Sequence, residues 1–98
     1  MLGASALMAK FQWDKRKRVR NYAKHGVDFL RATEIFETKH LLWDVSRPEE
    51  GERRYCAIGE TRGEVLAVVF TWRASKRRLI SARRASRNER RAYYQLHY

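Results

Sequence analysis

Apolar and polar positions change their period part-way along this 98-residue chain. Up to residue 37 the apolar residues recur at helical spacing; from residue 40 they alternate. "FQW" (11–13) reads as a short strand, and Asp14 suits a helix N-cap. In "DKRKRVRNYAKH" (14–25), Val19, Tyr22 and Ala23 fall on one face, which predicts a narrow buried stripe on an otherwise basic helix. Asn21 on that helix is expected to bond locally, and Gly26 to stop it. Asp28 then caps "FLRATEIFE" (29–37), where Phe29, Ala32, Thr33 and Phe36 share a face. Two helices in close succession predict a short N-terminal helical hairpin.

The second half reads as strands. "HLLWDV" (40–45) is one, followed by the polar loop "SRPEEGE" (46–52). "RRYCAIGE" (53–60) alternates, with Arg54, Cys56 and Ile58 on one side and Tyr55 and Ala57 on the other. After the turn "TRG" (61–63), "EVLAVVFTW" (64–72) is almost continuously apolar, which predicts a central strand covered on both faces. "RASK" (73–76) turns into "RRLISARR" (77–84). Strict alternation there places Arg78, Ile80, Ala82 and Arg84 on one side and Arg77, Leu79, Ser81 and Arg83 on the other, so Arg83 and Arg84 cannot share a site. "SRNE" (86–89) fits a capping box that opens a last helix with a buried stripe of Ala85, Glu89, Ala92, Tyr93 and Leu96. The order β-α-α-β-β-β-β-α with short turns predicts an α+β domain, its helices packed on an antiparallel sheet.

Length allows one modest core, placed at 11–98, with residues 1–10 read as a flexible N-terminal extension. Charge changes the picture more. There are 22 Lys and Arg against 11 Asp and Glu, a net charge of +11. Residues 10–25 hold seven cations and one acid, residues 65–98 nine cations and one acid, and the middle is mildly acidic. Such an excess points to a polyanionic partner and to a basic face shared by the first helix and the last strand. One cysteine, Cys56, excludes an intrachain disulfide and suits a reducing compartment, here the cytoplasm. The longest apolar run, "VLAVVF" (65–70), is too short to span a bilayer, and no helix pairs a wide apolar face with its basic one, so no membrane partner is expected. No zinc-ligand spacing, glycine-rich phosphate loop or Ser/His/Asp order is present, so no metal or cofactor is expected.

Two stretches resemble a known family. "FQWDKRKRVRNYAKHGVDF" is similar to the N-terminal signature of the BrnT toxins of bacterial type II toxin–antitoxin systems, through Phe11, Trp13, Asp14, Lys17, Asn21, Lys24, His25, Gly26, Val27 and Phe29. "ISARRASRNERRAYY" resembles the family's closing segment, and "ERRYCAIGET" and "LAVVFTWR" sit where it carries an E-x-R-[FY]-x-x-I-G motif and its central strand. The resemblance spans roughly residues 11–94. It implies a RelE-like fold and a metal-independent ribonuclease that inhibits translation. It also implies a ribbon-helix-helix, BrnA-like antitoxin, with which the toxin represses its own operon, so that operator DNA is met only through the complex.

Metal-free RNA cleavage uses the adjacent 2′-hydroxyl as nucleophile. The protein must help deprotonate it, stabilise a dianionic phosphorane and protonate the leaving 5′-oxygen. Arginine suits the second task, because its planar fork holds two phosphate oxygens and keeps its charge. The candidate catalytic set is therefore Lys24, His25, Arg54, Arg83, Arg84 and Glu89. Arg53, Arg73, Arg78, Arg87 and Arg90 are the candidate RNA contacts. Each has a plainer reading: Lys24 and His25 as last-turn cations favoured by the helix dipole, Glu89 as the partner in the capping box, the arginines as solvated charge. The rival to a ribonuclease is a non-catalytic basic module that binds RNA, DNA or ribosomes.

Overall fold

In a computed structural model, residues 3–97 are described. Five strands form one sheet in the order β1-β5-β4-β3-β2: β1 (Phe11–Trp13), β2 (Leu41–Asp44), β3 (Tyr55–Thr61), β4 (Glu64–Arg73) and β5 (Lys76–Arg84). The consecutive strands β2 to β5 are antiparallel, as short turns require. β1 departs from the expected antiparallel sheet. It lies parallel to β5, with Phe11 opposite Arg77 and Trp13 opposite Leu79. Residues 14–75, helices and three strands together, separate the two paired strands in the chain, so no short turn fixes their direction.

β4 is central, and its residues split between two cores. Leu66, Val68 and Phe70 join Phe11, Val27, Phe29, Ala32, Ile35 and Leu79 on the first face. Val65 and Ala67 join Leu41, Cys56, Ile58, Ala85 and Tyr93 on the second. The first face is covered by α1 (Ala4–Lys10), α2 (Lys15–His25) and α3 (Phe29–Ala32), the last continued as a 3-10 turn over Thr33–Glu37. The two expected helices are thus unequal, and the second is a single α-helical turn. Gly59 lets the 3-10 turn approach the sheet, since a Cβ there would stand 2.8 Å from Ile35 Cβ. The second face carries α4 (Arg87–His97), opened by the expected capping box: the Ser86 N–H donates to Glu89 Oε1 at 2.7 Å and the Glu89 N–H to Ser86 Oγ at 3.2 Å. Ala85 and Tyr93 are buried under it, but Leu96, expected in the same stripe, is 72% exposed.

α2 is held by other means than its sequence suggests. Asp14 caps it, accepting from the N–H groups of Arg16 and Lys17, and Gly26 closes it at φ 70°. Its expected buried stripe is not buried: Val19 is 69% and Tyr22 58% exposed, and Ala23 is exposed too. The buried residue of α2 is Asn21. Its Nδ2 donates to the carbonyls of Val27 (3.0 Å) and Ala82 (2.8 Å), and its Oδ1 accepts from the Ala82 N–H (3.0 Å). β1 ends at Trp13 opposite Leu79, so further along β5 the side-chain amide of Asn21 takes the place of a neighbouring strand. The local bonding expected of Asn21 is therefore only part of its role. A second tie is the two-pronged pair Arg18–Asp28, at 2.7 and 2.9 Å.

A bulge resets β5. Val69 pairs with Ser81, yet Phe70 pairs with Leu79, which leaves Ile80 as an extra residue. The strict alternation read from the sequence therefore fails before residue 81. Arg77 and Leu79 share the first face with Ala82 and Arg84, while Arg78 and Ile80 share the second with Ser81 and Arg83. Arg77 confirms the phase, because its guanidinium lies 4.4 Å from the centre of the Phe36 ring and 4.7 Å from that of Trp72.

Candidate active site on the second face of the sheet

The second face holds a cleft of about 370 Å³ between β2, β3, β5 and the start of α4. Trp43, Cys56, Val69 and Ile80 line it, with Arg47, Arg54 and Arg83 and the carboxylates of Glu50 and Glu89. Arg54 reaches it because it precedes Cys56 and Ile58 on the same side of the β3 register. Arg83 reaches it because it lies opposite Ala67, and Glu89 because the capping box turns the first turn of α4 back over the strand end.

Each cation in the cleft with a described partner is held by a carboxylate. Arg83 clasps Glu89 through two parallel bonds, Nη1 to Oε1 at 2.7 Å and Nη2 to Oε2 at 2.9 Å. Arg54 lies 2.7 Å from Glu50 Oε2 and donates from Nε to Glu52 Oε1 at 3.2 Å. The bond from Arg83, with help from the Ser86 amide, holds the Glu89 carboxyl down to about 2, against the opposing effect of its burial. Burial, followed by the negative charge of Glu89, pushes the Cys56 thiol up, so it is no thiolate nucleophile here.

This pair makes a stability prediction. The Glu89 carboxyl titrates near 4.5 when free of the fold and near 2 within it. The folded form gains stability from the ionised group at every pH above its unfolded value and loses it as pH falls from 4.5 towards 2. In Glu89→Gln the acid-side fall in Tm should be shallower than in the native chain over that window, as followed by circular dichroism melts. An unchanged acid limb would contradict the pair.

The structure divides the candidate residues. Arg54, Arg83 and Glu89 come together in the cleft. Lys24, His25 and Arg84 do not. Arg84 points to the first face, where Nε donates to Glu64 Oε2 at 2.6 Å and Nη1 to the His25 carbonyl at 3.1 Å. It thereby ties the C-terminal end of α2 to the sheet, a place where a cation satisfies an open helix carbonyl. Of the candidate RNA contacts, Arg53 pairs with Asp44 at 2.9 Å and Arg78 donates to Gln12 at 2.9 Å. Arg90 donates to the Ala85 carbonyl at 3.1 Å, and Arg73 and Arg87 are exposed outside the cleft lining. Arg47, Glu50 and Trp43 line the cleft although the sequence did not single them out. Their only signal was position, in and beside the loop that precedes Arg54. Among the described residues no group of three His, Cys, Asp or Glu side chains is placed to hold a metal ion.

A model of the family described as the ribonuclease toxin, BrnT, of type II toxin–antitoxin systems matches residues 13–89. The chain belongs to the BrnT family. The match runs from Trp13 in β1 to Glu89 in the cleft, so every residue of the Arg54, Arg83 and Glu89 set falls inside it. No curated protein matches the chain. Membership of the BrnT family implies an antitoxin as partner.

Proposed function

We propose that this BrnT-family chain is a RelE-like, metal-independent endoribonuclease that arrests translation from the cytoplasm, working in the second-face cleft. The observation that carries this reading is the convergence of Arg54, Arg83 and Glu89 there, from the segment before β3, from β5 and from α4. An RNA phosphate entering the cleft competes with Glu89 for the Arg83 fork, and with Glu50 and Glu52 for Arg54. When Arg83 turns to the phosphate, Glu89 loses the bond that depresses its carboxyl. It then becomes a better base for the neighbouring 2′-hydroxyl, while the two guanidiniums meet the charge that develops on the phosphorane. Resting pairs of this kind keep the groups ordered without substrate, and the Arg83 guanidinium keeps an anionic partner when the phosphate replaces Glu89. Lys24, His25 and Arg84, first-face residues, have supporting parts in this scheme rather than contact with the reacting atoms. Arg53, Arg73, Arg78, Arg87 and Arg90 add field for the RNA strand.

A cognate antitoxin of the BrnA-like, ribbon-helix-helix kind neutralises the toxin, and the complex represses its own operon, with operator DNA reached only through the antitoxin. The direct test is cleavage of a defined RNA by the purified protein in a chelator. We expect products ending in 2′,3′-cyclic phosphate, and no cleavage of the same strand with 2′-O-methyl groups. Binding of both strands without cleavage of either would instead favour the non-catalytic basic module. Activity lost in chelator and restored by Mg²⁺ would overturn the metal-free mechanism.

A further inference from the structure

The cleft has an apolar half that the phosphate chemistry leaves unused. On the second face Trp43 pairs with Cys56, Cys56 with Val69, and Val69 with Ser81, so these four side chains form one row across β2, β3, β4 and β5. Side chains two residues apart on a strand share a face and stand roughly 7 Å apart. Arg83 lies one such step to one side of the row, and Arg54 one step to the other. The bulge adds to the row. It brings Ile80, which a regular strand would have turned to the first face, onto the second beside Val69.

α4 covers only the neighbouring part of this face, where Ile58, Ala67, Ala85 and Tyr93 are buried. Trp43 is 40% exposed, and Val69 and Ile80 are half-buried, although all three line the cleft. Trp43 is the one aromatic side chain in that lining, whereas Trp13 packs on Phe29 and Trp72 on Arg77 on the first face. The same lining carries three arginines against two carboxylates, and Arg47 is in no ion pair among the described residues. At about 370 Å³ the cleft lies at the small end of the ~300–1,000 Å³ range of ligand pockets, a size for one nucleotide rather than for a helix. Cations flank the apolar row, so one ligand can use both. A phosphate held between Arg54 and Arg83 brings its base down over the row, where a flat ring stacks on the indole. An apolar protein segment would cover the row and leave the arginine pairs as they are.

We infer that Trp43, with Val69 and Ile80, seats one nucleobase of a single-stranded RNA and is a specificity-determining position of the cleft. This rests on the ribonuclease reading of the cleft and deepens it by naming the substrate class. A base reaches the indole only when it is out of a helical stack, so the strand bound here is single. Stacking is made alike before and during the chemical step, so it governs affinity and leaves the step itself unchanged.

The test reads binding as well as turnover. Its probe is the 2′-O-methyl strand, with an abasic residue walked through it one position at a time. On the native chain one position should lose about 10- to 100-fold in affinity when abasic, and the strand annealed to its complement should not compete. Trp43→Ala should lose the same factor on the intact strand and be indifferent to the abasic residue. Trp43→Phe, which keeps a ring, should stay within about threefold of the native chain. In cleavage, Trp43→Ala should raise KM by the factor lost in binding, with kcat within about threefold. The proposal is overturned if the native chain does not bind the strand, if its affinity ignores the abasic residue at every position, or if the duplex competes equally. It is overturned too if Trp43→Ala keeps full RNA affinity, or loses the antitoxin instead of the RNA. The abasic scan on the native chain needs no variant, so it decides even where Trp43→Ala fails to fold. Should the native chain cleave no RNA while the abasic residue still costs affinity, the base seat stands and the ribonuclease reading falls. Cleavage with no effect of the abasic residue or of Trp43→Ala would leave that reading standing and remove the seat.

Discussion

Arg83→Ala is expected to lower RNA cleavage by about 10² to 10³-fold, the usual cost of removing one preorganised stabiliser of transition-state charge. Arg84→Ala, one residue along, should leave cleavage within about twofold. The two side chains leave β5 on opposite faces: Arg83 enters the cleft and grips Glu89, and Arg84 binds Glu64 and the His25 carbonyl. Arg84 is about half exposed, so losing its ion pair costs stability no more than about 1 kcal/mol. Growth arrest on expression should follow the same order, abolished by the first substitution and kept by the second. Glu89→Gln sharpens the test. A glutamine can still reach back to the Ser86 amide and keep the helix cap, but it cannot accept the 2′-hydroxyl proton. We expect a folded protein with cleavage down by about 10²-fold or more. Full activity in both Arg83→Ala and Glu89→Gln would move the reacting groups out of this cleft.

The second large effect is structural. Asn21→Leu, which keeps the side chain's size, should destabilise the fold by about 3 kcal/mol. The substitution strands the buried N–H and carbonyl of Ala82 together with the Val27 carbonyl, and each orphaned group costs about 1 kcal/mol or more. For a chain of this length that is a fall in Tm of roughly 12–24 °C, read by a thermal melt. Asn21→Asp should fail as well, since a carboxylate cannot donate to the two carbonyls. A loss of less than about 1 kcal/mol in Asn21→Leu would show that the amide does not stand in for a strand. A cognate antitoxin should raise the Tm of the Asn21 variant, because it binds only the folded form.

Several elements were legible because their signals are local. Asp14, Gly26 and the Ser86–Glu89 box mark helix ends through contacts of two or three residues, and each closes as its spacing implies. The unbroken apolar run of β4 could only belong to a strand covered on both faces. The side on which Arg54 sits followed from the alternation of Tyr55 to Ile58, which no irregularity interrupts. In β5 the same argument broke, because the bulge at Ile80 depends on how β4 and β5 settle against two cores and leaves no mark in composition.

The sequence by itself determined the caps at Asp14, Gly26 and Ser86, the strand-rich second half, the basic charge of both ends and the separation of Arg83 from Arg84, since neighbours in a regular strand point to opposite faces; Asp28, expected to cap α3 through its side chain, makes no such bond and pairs with Arg18 instead. Tertiary structure alone decided the rest. It set β1 parallel to β5, strands that residues 14–75 separate in the chain. It turned Val19 and Tyr22 outward, because α2 is anchored through Asn21 and Arg18 rather than through its apolar row. And it joined Arg54, Arg83 and Glu89 in one cleft, since residues from β5, α4 and the segment before β3 become neighbours only when the sheet closes its hydrogen bonds between strands far apart in the chain.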